Sequence, residues 1–264
     1  MRAWLFLLLA LPAQAADPLF PRPYEIFRPL LADPRQIQLG GYYYRLNGQN
    51  MGDAALGHSW GMARWNVREV DLQWNLEGMA YSRFQVSGDV NKFQAVDFEI
   101  NVSAEARRGP LETKVFLYHV SSHLGDDYIR DTRDLGFRYS VEGLRFVTAV
   151  SPVKPLRLYG GAGYLIHRIP VQSPASLQLG WEGRTPDFKL GGYPALVYLG
   201  HDLQWRERVR WNMTSRATLG LRVTEPEGRR AGRIHVGYQQ GHSAFGQFYL
   251  RRERQADVGI TFEI

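Results

Sequence analysis

The most regular feature of the chain is an alternation of apolar and polar side chains. Val70, Leu72, Trp74 and Leu76 alternate with Asp71, Gln73, Asn75 and Glu77, a period of two that gives a strand one apolar and one polar face. Val96, Phe98, Ile100, Val102 and Ala104 alternate with Asp97, Glu99, Asn101, Ser103 and Glu105 in the same way, and Val258, Ile260, Phe262 and Ile264 close the chain on that rhythm. Wound into a helix, these acids would point to every side. About twelve such segments follow one another, starting near Ile37, His58, Val70, Phe93, Thr113, Gly136, Leu156, Ala175, Pro194, Trp211, Arg233 and Ala256. The expected fold is all-β: a closed antiparallel transmembrane β-barrel of about twelve strands.

A soluble sandwich also alternates, so other features decide. Many segments reach the ~9–11 residues of a tilted membrane-spanning strand rather than the ~5–6 of an ordinary one. Connections are expected to be long at Asn47 to Gly57, Ser82 to Lys92 and His123 to Leu135, and short at Asn66 to Glu69, Arg108 to Leu111 and Ser151 to Pro155. Long external loops alternate with short periplasmic turns in that manner. After Pro174 the rhythm weakens, because Gly183 to Gly192 and Thr224 to Gly232 are too long for turns and Arg206 to Val209 too short for a loop. Aromatic residues at expected strand ends (Tyr42 to Tyr44, Trp60, Trp65, Trp205, Trp211, Phe245, Phe248, Tyr249) suit interfacial girdles.

Before the strands, Arg2, the apolar stretch Leu5 to Leu11 and Ala13-Gln14-Ala15 have the order of a secretory signal peptide. Cleavage is expected after Ala15, the apolar run being too short for a membrane anchor. The expected organisation is a signal peptide over 1–15, an extended periplasmic segment over 16–36 and the barrel over 37–264. Pro18, Pro21, Pro23, Pro29 and Pro34 keep the second part extended, free in the periplasm or folded back into the lumen as a small plug. These features place the protein in the outer membrane of a Gram-negative bacterium, inserted by the barrel-assembly machinery among outer-membrane lipids and lipopolysaccharide.

Composition narrows the chemistry. The 264 residues contain no cysteine, which removes disulfides, thiolate metal sites and cysteine nucleophiles. The net charge of +6 is spread without a basic tract, unlike the clustered cations of a nucleic-acid reader. Nothing points to a cofactor. If polar faces line the lumen, Asp71, Glu77, Asp97, Glu99, Glu105, Arg107, Arg138, Glu142, Arg157, Arg216 and Arg222 point inward. They either pair and close the barrel or set up a field across a small pore for ions or small solutes.

The segment Tyr118-His-Val-Ser-Ser-His-Leu-Gly-Asp-Asp-Tyr128, with Leu31-Ala-Asp-Pro-Arg35 upstream and Gly241-His-Ser-Ala-Phe-Gly-Gln-Phe-Tyr249 downstream, resembles a bacterial envelope family catalogued as a domain of unknown function, number 1207. Asp127 departs from the Glu more usual there. The resemblance implies an outer-membrane barrel with no assigned activity, and it carries over no catalytic residue.

His119 and Ser121, two residues apart, share one face of a strand, and such a His-x-Ser pair is similar to the one used by outer-membrane phospholipases and lipid A deacylases. There the imidazole is general base for the serine and a third polar group orients it. Asp126, Asp127 or a polar residue of a neighbouring strand is a candidate for that third role. The chemistry requires a lipid-facing site, and the phase is open, because Val115 and Leu117 on the face of His119 are matched by Phe116, Tyr118 and Val120 on the other. Alternatively His119, Ser121, Ser122, His123 and Asp126 form a hydrogen-bonded network fixing a loop base, with Gly125 as a turn, or His123, Asp126 and Asp127 hold a divalent cation. Gly57-His58-Ser59-Trp60-Gly61 matches the Gly-x-Ser-x-Gly elbow, but the alternation that follows is not the strand-turn-helix context which that elbow needs.

Overall fold

The computed structural model describes residues 20–88, 90–228 and 230–264; the expected signal peptide lies outside them. Among the described residues the strands are β1 (Leu39–Leu46), β2 (Gln49–Val67), β3 (Val70–Gln85), β4 (Lys92–Arg108), β5 (Leu111–Leu124), β6 (Tyr139–Val153), β7 (Leu156–Ile169), β8 (Ala175–Arg184), β9 (Phe188–Leu190), β10 (Tyr193–Arg206), β11 (Met213–Thr224), β12 (Ala231–His242) and β13 (Arg252–Glu263), with one α-helix, α1 (Asp126–Thr132). Consecutive strands pair antiparallel, except that β8 pairs with β10 rather than β9, and β13 returns to β1. β9 is a three-residue spur on β10, so the closed ring has twelve strands. Closure pairs both edges of each strand of this ring, the condition for strands to cross a bilayer. Among the described residues no helix is long and apolar enough to span one.

Leu56, Ile100, Leu117, Leu144, Ile234 and Val258 stand outward and exposed, while Glu77, Asp97, Glu105, Arg157, Arg216 and Asp257 are buried. Polar inside and apolar outside is the inverse of a soluble core and the signature of a membrane barrel.

Two expectations about loops change. Asn47 to Gly57 is not a long loop: Asn47 and Gly48 alone turn the chain, both in the left-handed region (φ 50 and 82), as a tight Asn-Gly hairpin requires. β2 therefore begins nine residues before His58, a stretch masked in sequence because its outward residues include the small Gly52 and Ala54 and its inward ones the charged Asp53. Tyr44, Phe245 and Phe248, expected in the girdles, are buried at 2%, 0% and 3% exposure. The connection between β12 and β13, with a short 3-10 turn at Gly246–Phe248, folds into the barrel mouth, where Phe245 packs beside Tyr81 and under the Arg83 guanidinium.

Residues 20–37 enter the lumen from the end where the short turns lie, the turn end, rather than extending free. Their prolines donate no hydrogen bond, and the remaining N–H groups need acceptors inside a closed cylinder. The lumen supplies carboxylates: the Phe27 N–H donates to Glu105 at 3.2 Å, the Arg28 N–H to Glu112 at 3.3 Å and the Leu31 N–H to Glu182 at 2.7 Å. Phe27 and Leu30 pack on Val147, Ala149 and Tyr159. Higher up, Asp33 pairs with Arg145 at 2.7 Å, and Arg35 with Asp97 and Glu99 at 3.0 and 3.2 Å. Burial pushes the Asp33 carboxyl up, but Arg145 and the Arg35 N–H more than offset this and hold it below the ordinary range.

Cavities of about 120, 40 and 20 Å³ interrupt this packing, and side chains or the N-terminal segment fill the space around them. In planar bilayers the full chain is expected to give no stepwise conductance, and deletion of residues 20–36 to produce it. Discrete channels from the full chain would contradict a filled lumen.

Candidate functional site on the outer face

β5 sorts its residues by parity. Glu112, Lys114, Val120 and Ser122 are buried in the lumen, whereas Leu117 stands outward at 52% exposure. His119 and Ser121 have the parity of Leu117. The His119 side chain is 41% exposed and its Nδ1 lies 3.5 Å from Oε1 of Glu142, itself 52% exposed. His119 is thus on the lipid side, and Glu142, expected in the lumen, is on the lipid side as well. The physical reason is that near the loop end, where the longer connections lie, the inner surface is itself apolar: Val120, Tyr139, Val141 and Leu165 cluster there with Tyr118 and Tyr249. Polarity alone therefore does not give the phase of β6.

Strand register completes the group. His119 pairs across from Ile100 on β4 and Glu142 on β6, and Ser121 from Phe98 and Ser140. On β7, Glu142 pairs with His167, and a bulge between Glu142 and Gly143 leaves Ile166 as the extra residue, with Ile166 and His167 both exposed. One patch of the outer face therefore holds His119 and Ser121 on β5, Ser140 and Glu142 on β6 and His167 on β7, beside Phe98, Ile100, Leu117 and Leu144. A carboxylate beside these apolar neighbours is costly on a lipid-facing strand, and ionisable groups kept in such positions mark functional sites.

With Glu142 at Nδ1, the Nε2 side of the ring is the one left for a serine. The i, i+2 spacing separates His119 from Ser121 by roughly 6.6 Å of strand, a gap for an imidazole to bridge. Asp126 does not join them. Five residues separate His119 from Leu124 at the end of β5, roughly 17 Å of strand, and Asp126 begins α1 beyond it, exposed.

The neighbouring polar residues do structural work. Ser122 Oγ donates to Asp97 and accepts the Gln247 N–H at 2.9 Å, and the Gly246 N–H donates to Asp97 at 3.1 Å, which pins the inward-folded loop to β4 and β5. Gly125 sits where an added Cβ would lie 2.3 Å from the Phe93 carbonyl oxygen, so only glycine brings the chain close enough for its N–H to reach the Gln94 carbonyl at 2.9 Å. Asp127 accepts the Phe93 N–H at 2.8 Å and pairs with Arg130, contacts that hold its carboxyl below the ordinary range. These residues tie α1 down, and among the described residues no group of three or more His, Asp or Glu could hold a metal ion. Gly57 to Gly61 lies inside β2 with no turn; Ser59 faces the lumen and donates to Glu77 at 3.0 Å.

A family model described as protein of unknown function (DUF1207) matches residues 14–263. No curated protein matches the chain in sequence. Among solved structures, outer membrane phospholipase A from Escherichia coli is similar with a TM-score of 0.57 at 11% identity, covering 86% of this chain and 92% of that one. The Salmonella typhi outer membrane phospholipase dimer with bound calcium has a TM-score of 0.55 at 11% identity, covering 88% and 93%. A KdgM porin in complex with disordered oligogalacturonate has a TM-score of 0.48 at 8% identity, covering 86% and 99%. At these identities the phospholipase likenesses speak for the fold alone: an outer-membrane-type barrel in a membrane-lipid context.

Proposed function

The chain belongs to the DUF1207 family, and from the arrangement on its outer face we propose that it is an acyl-ester hydrolase of the bacterial outer membrane. Ser121 is the nucleophile, His119 the general base and Glu142 the group that orients the imidazole. The observation that carries the reading is the Glu142 carboxylate 3.5 Å from His119 Nδ1 on the lipid-exposed surface, with Ser121 two residues along the same face. The likeness in fold to outer membrane phospholipases, and the similarity of the His-x-Ser pair to theirs, support it.

In this reading the loop end faces the cell exterior and the turn end the periplasm, after insertion by the barrel-assembly machinery. The site lies below the loop-end rim, at the depth of ester groups in the outer leaflet. The substrate is a phospholipid or lipopolysaccharide acyl ester, presented from the side by the bilayer. Ser121 Oγ attacks the acyl carbonyl carbon while its proton passes to His119 Nε2, and Glu142 stabilises the imidazolium and fixes its tautomer. The tetrahedral intermediate expels the alcohol oxygen, which takes the proton from His119. Water, deprotonated by His119, then cleaves the acyl-serine to free fatty acid and restored Ser121.

Purified protein in mixed micelles is expected to release fatty acid from phosphatidylethanolamine or purified lipopolysaccharide and to be labelled by a fluorophosphonate probe. Ser121→Ala abolishes both, whereas Ser122→Ala, on the lumen side, retains labelling. If the native chain neither releases fatty acid from either lipid nor takes the label, the hydrolase reading fails and the polar patch is a scaffold for the loop base.

A further inference from the structure

We infer that the mouth of the barrel at its turn end is a binding site for a multiply charged anion of the phosphate class. At the middle of the lumen, buried cations are matched to carboxylates: Arg83 to Asp53 and Glu253, Lys114 to Glu77 and Glu105, Arg216 to Asp257. At the turn end that matching stops. A cavity of about 460 Å³ opens between the N-terminal segment, the turn joining β6 to β7, and the ends of β8, β10, β11 and β13. Among the described residues, seven cations line it (Arg22, Arg28, Lys154, Arg157, Arg184, Arg222 and Arg230) against three side-chain carboxylates, Glu25, Glu182 and Glu263.

The three carboxylates are already engaged, Glu25 by Arg64, Glu182 by Arg157 and Glu263 by Arg222. Arg22, Lys154, Arg184 and Arg230 have no carboxylate partner among the described residues. One polar group of the wall is also unsatisfied inside the protein: Arg157 is 4% exposed, and its Nε is buried with no hydrogen-bond partner.

Four cations that lack a carboxylate partner among the described residues repel one another around one cavity, and the low-dielectric walls concentrate their field at the opening. Arginine forks match the oxygens of a phosphate, which recover this repulsion as charge-assisted hydrogen bonds. Leu31, Leu196 and Tyr198 supply an apolar wall, so the anion is carried on a partly apolar or ring-bearing body. A soluble phosphorylated compound and an inner-leaflet lipid headgroup share this chemistry. The site is remote from Ser121 and does not depend on the hydrolase reading.

The test uses the full chain in phosphatidylcholine nanodiscs, titrated with pyrophosphate in a calorimeter at low salt. Saturable binding is expected, weakened about tenfold or more in the Lys154→Glu, Arg184→Glu double variant through loss of charge-assisted contacts. The Arg22→Gln, Arg230→Gln pair should weaken it as well, which keeps the test decisive if the first variant fails to fold. Arg254→Glu, an exposed cation at the loop end, should leave it unchanged. In discs containing phosphatidylglycerol, reduced pyrophosphate binding would identify the headgroup as occupant, and unchanged binding a soluble one. Absence of saturable binding in phosphatidylcholine discs, or equal affinity in native protein and both double variants, overturns the site.

Discussion

Replacing Glu142 by alanine is expected to lower fatty-acid release by about 10⁴-fold, the loss seen when the residue that orients a catalytic histidine is removed, with little change in stability. The asymmetry follows from its position. Glu142 is half exposed on the lipid side and touches the site through His119; it supports no part of the filled lumen. Its loss frees the imidazole to rotate and removes the counter-charge for the imidazolium, so the penalty falls on kcat. Its removal also relieves the lipid-facing surface of a carboxylate, so the unfolding midpoint should hold or rise slightly. Glu142→Gln separates the two roles: it keeps a polar partner at Nδ1 but no charge, and should recover some activity relative to alanine. Kinetics in mixed micelles and thermal unfolding of the same samples check both halves. A Glu142→Ala protein with native kcat would remove Glu142 from the mechanism; one that is inactive and also unfolded more easily would mark it as structural.

The strand pattern was legible because a barrel wall imposes one rule on every strand, apolar toward lipid and polar toward lumen. The rule holds where both surroundings are uniform. The expected starts at Val70, Leu156 and Ala175 coincide with those of β3, β7 and β8. It fails where the lumen stops being polar. Around Val120, Val141 and Leu165 the inner face packs on Tyr249 from the inward-folded loop, so β5 and β6 read as apolar on both sides and the pattern alone points Glu142 to the lumen. The same folding back turned Phe245 and Phe248 from expected girdle residues into core.

His119 and Ser121 were visible as a pair because their spacing is local. Their partner was not, since Glu142 is 23 positions on and meets His119 only through the register of β5 with β6. His167 is still less accessible to pattern reading, because a bulge sets its facing. The lack of periodicity in residues 20–37 was legible from the prolines, but their docking rests on Glu105, Glu112 and Glu182, far along the chain. The longer turn-end connections at 185–192 and 225–230, which disturbed the rhythm of the sequence, are real departures from a short-turn barrel. The second of them borders the cationic mouth.

The largest loss of stability is expected from Arg83→Ala, about 3–5 kcal/mol, the cost of leaving buried charges without their partner. Arg83 reaches Asp53 at 3.2 Å and Glu253 at 2.7 Å, with the three side chains between 3% and 4% exposed. Its guanidinium also lies 4.3 Å from the centre of the Phe245 ring and 5.5 Å from that of Tyr44. Truncation therefore does three things together: it strands two carboxylates, opens a cavity, and removes the plane on which the inward-folded loop rests. Tyr44 donates to Asp53 at 2.7 Å and neutralises neither acid, so it does not compensate. Arg83→Lys restores the charge without the fork that engages both carboxylates, and should recover part of the loss. Arg83→Met combined with Asp53→Asn and Glu253→Gln removes charge from all three positions at similar volume and should recover more than lysine does, because most of the penalty is uncompensated charge rather than lost attraction. Urea unfolding in detergent, followed by tryptophan fluorescence, measures the series. Since Arg83 is on the lumen side of β3, away from Ser121 on the outer face of β5, fluorophosphonate labelling of the fraction that remains folded should be unchanged. If Arg83→Ala costs less than about 1 kcal/mol, the lumen at that level is hydrated and its charges are solvated.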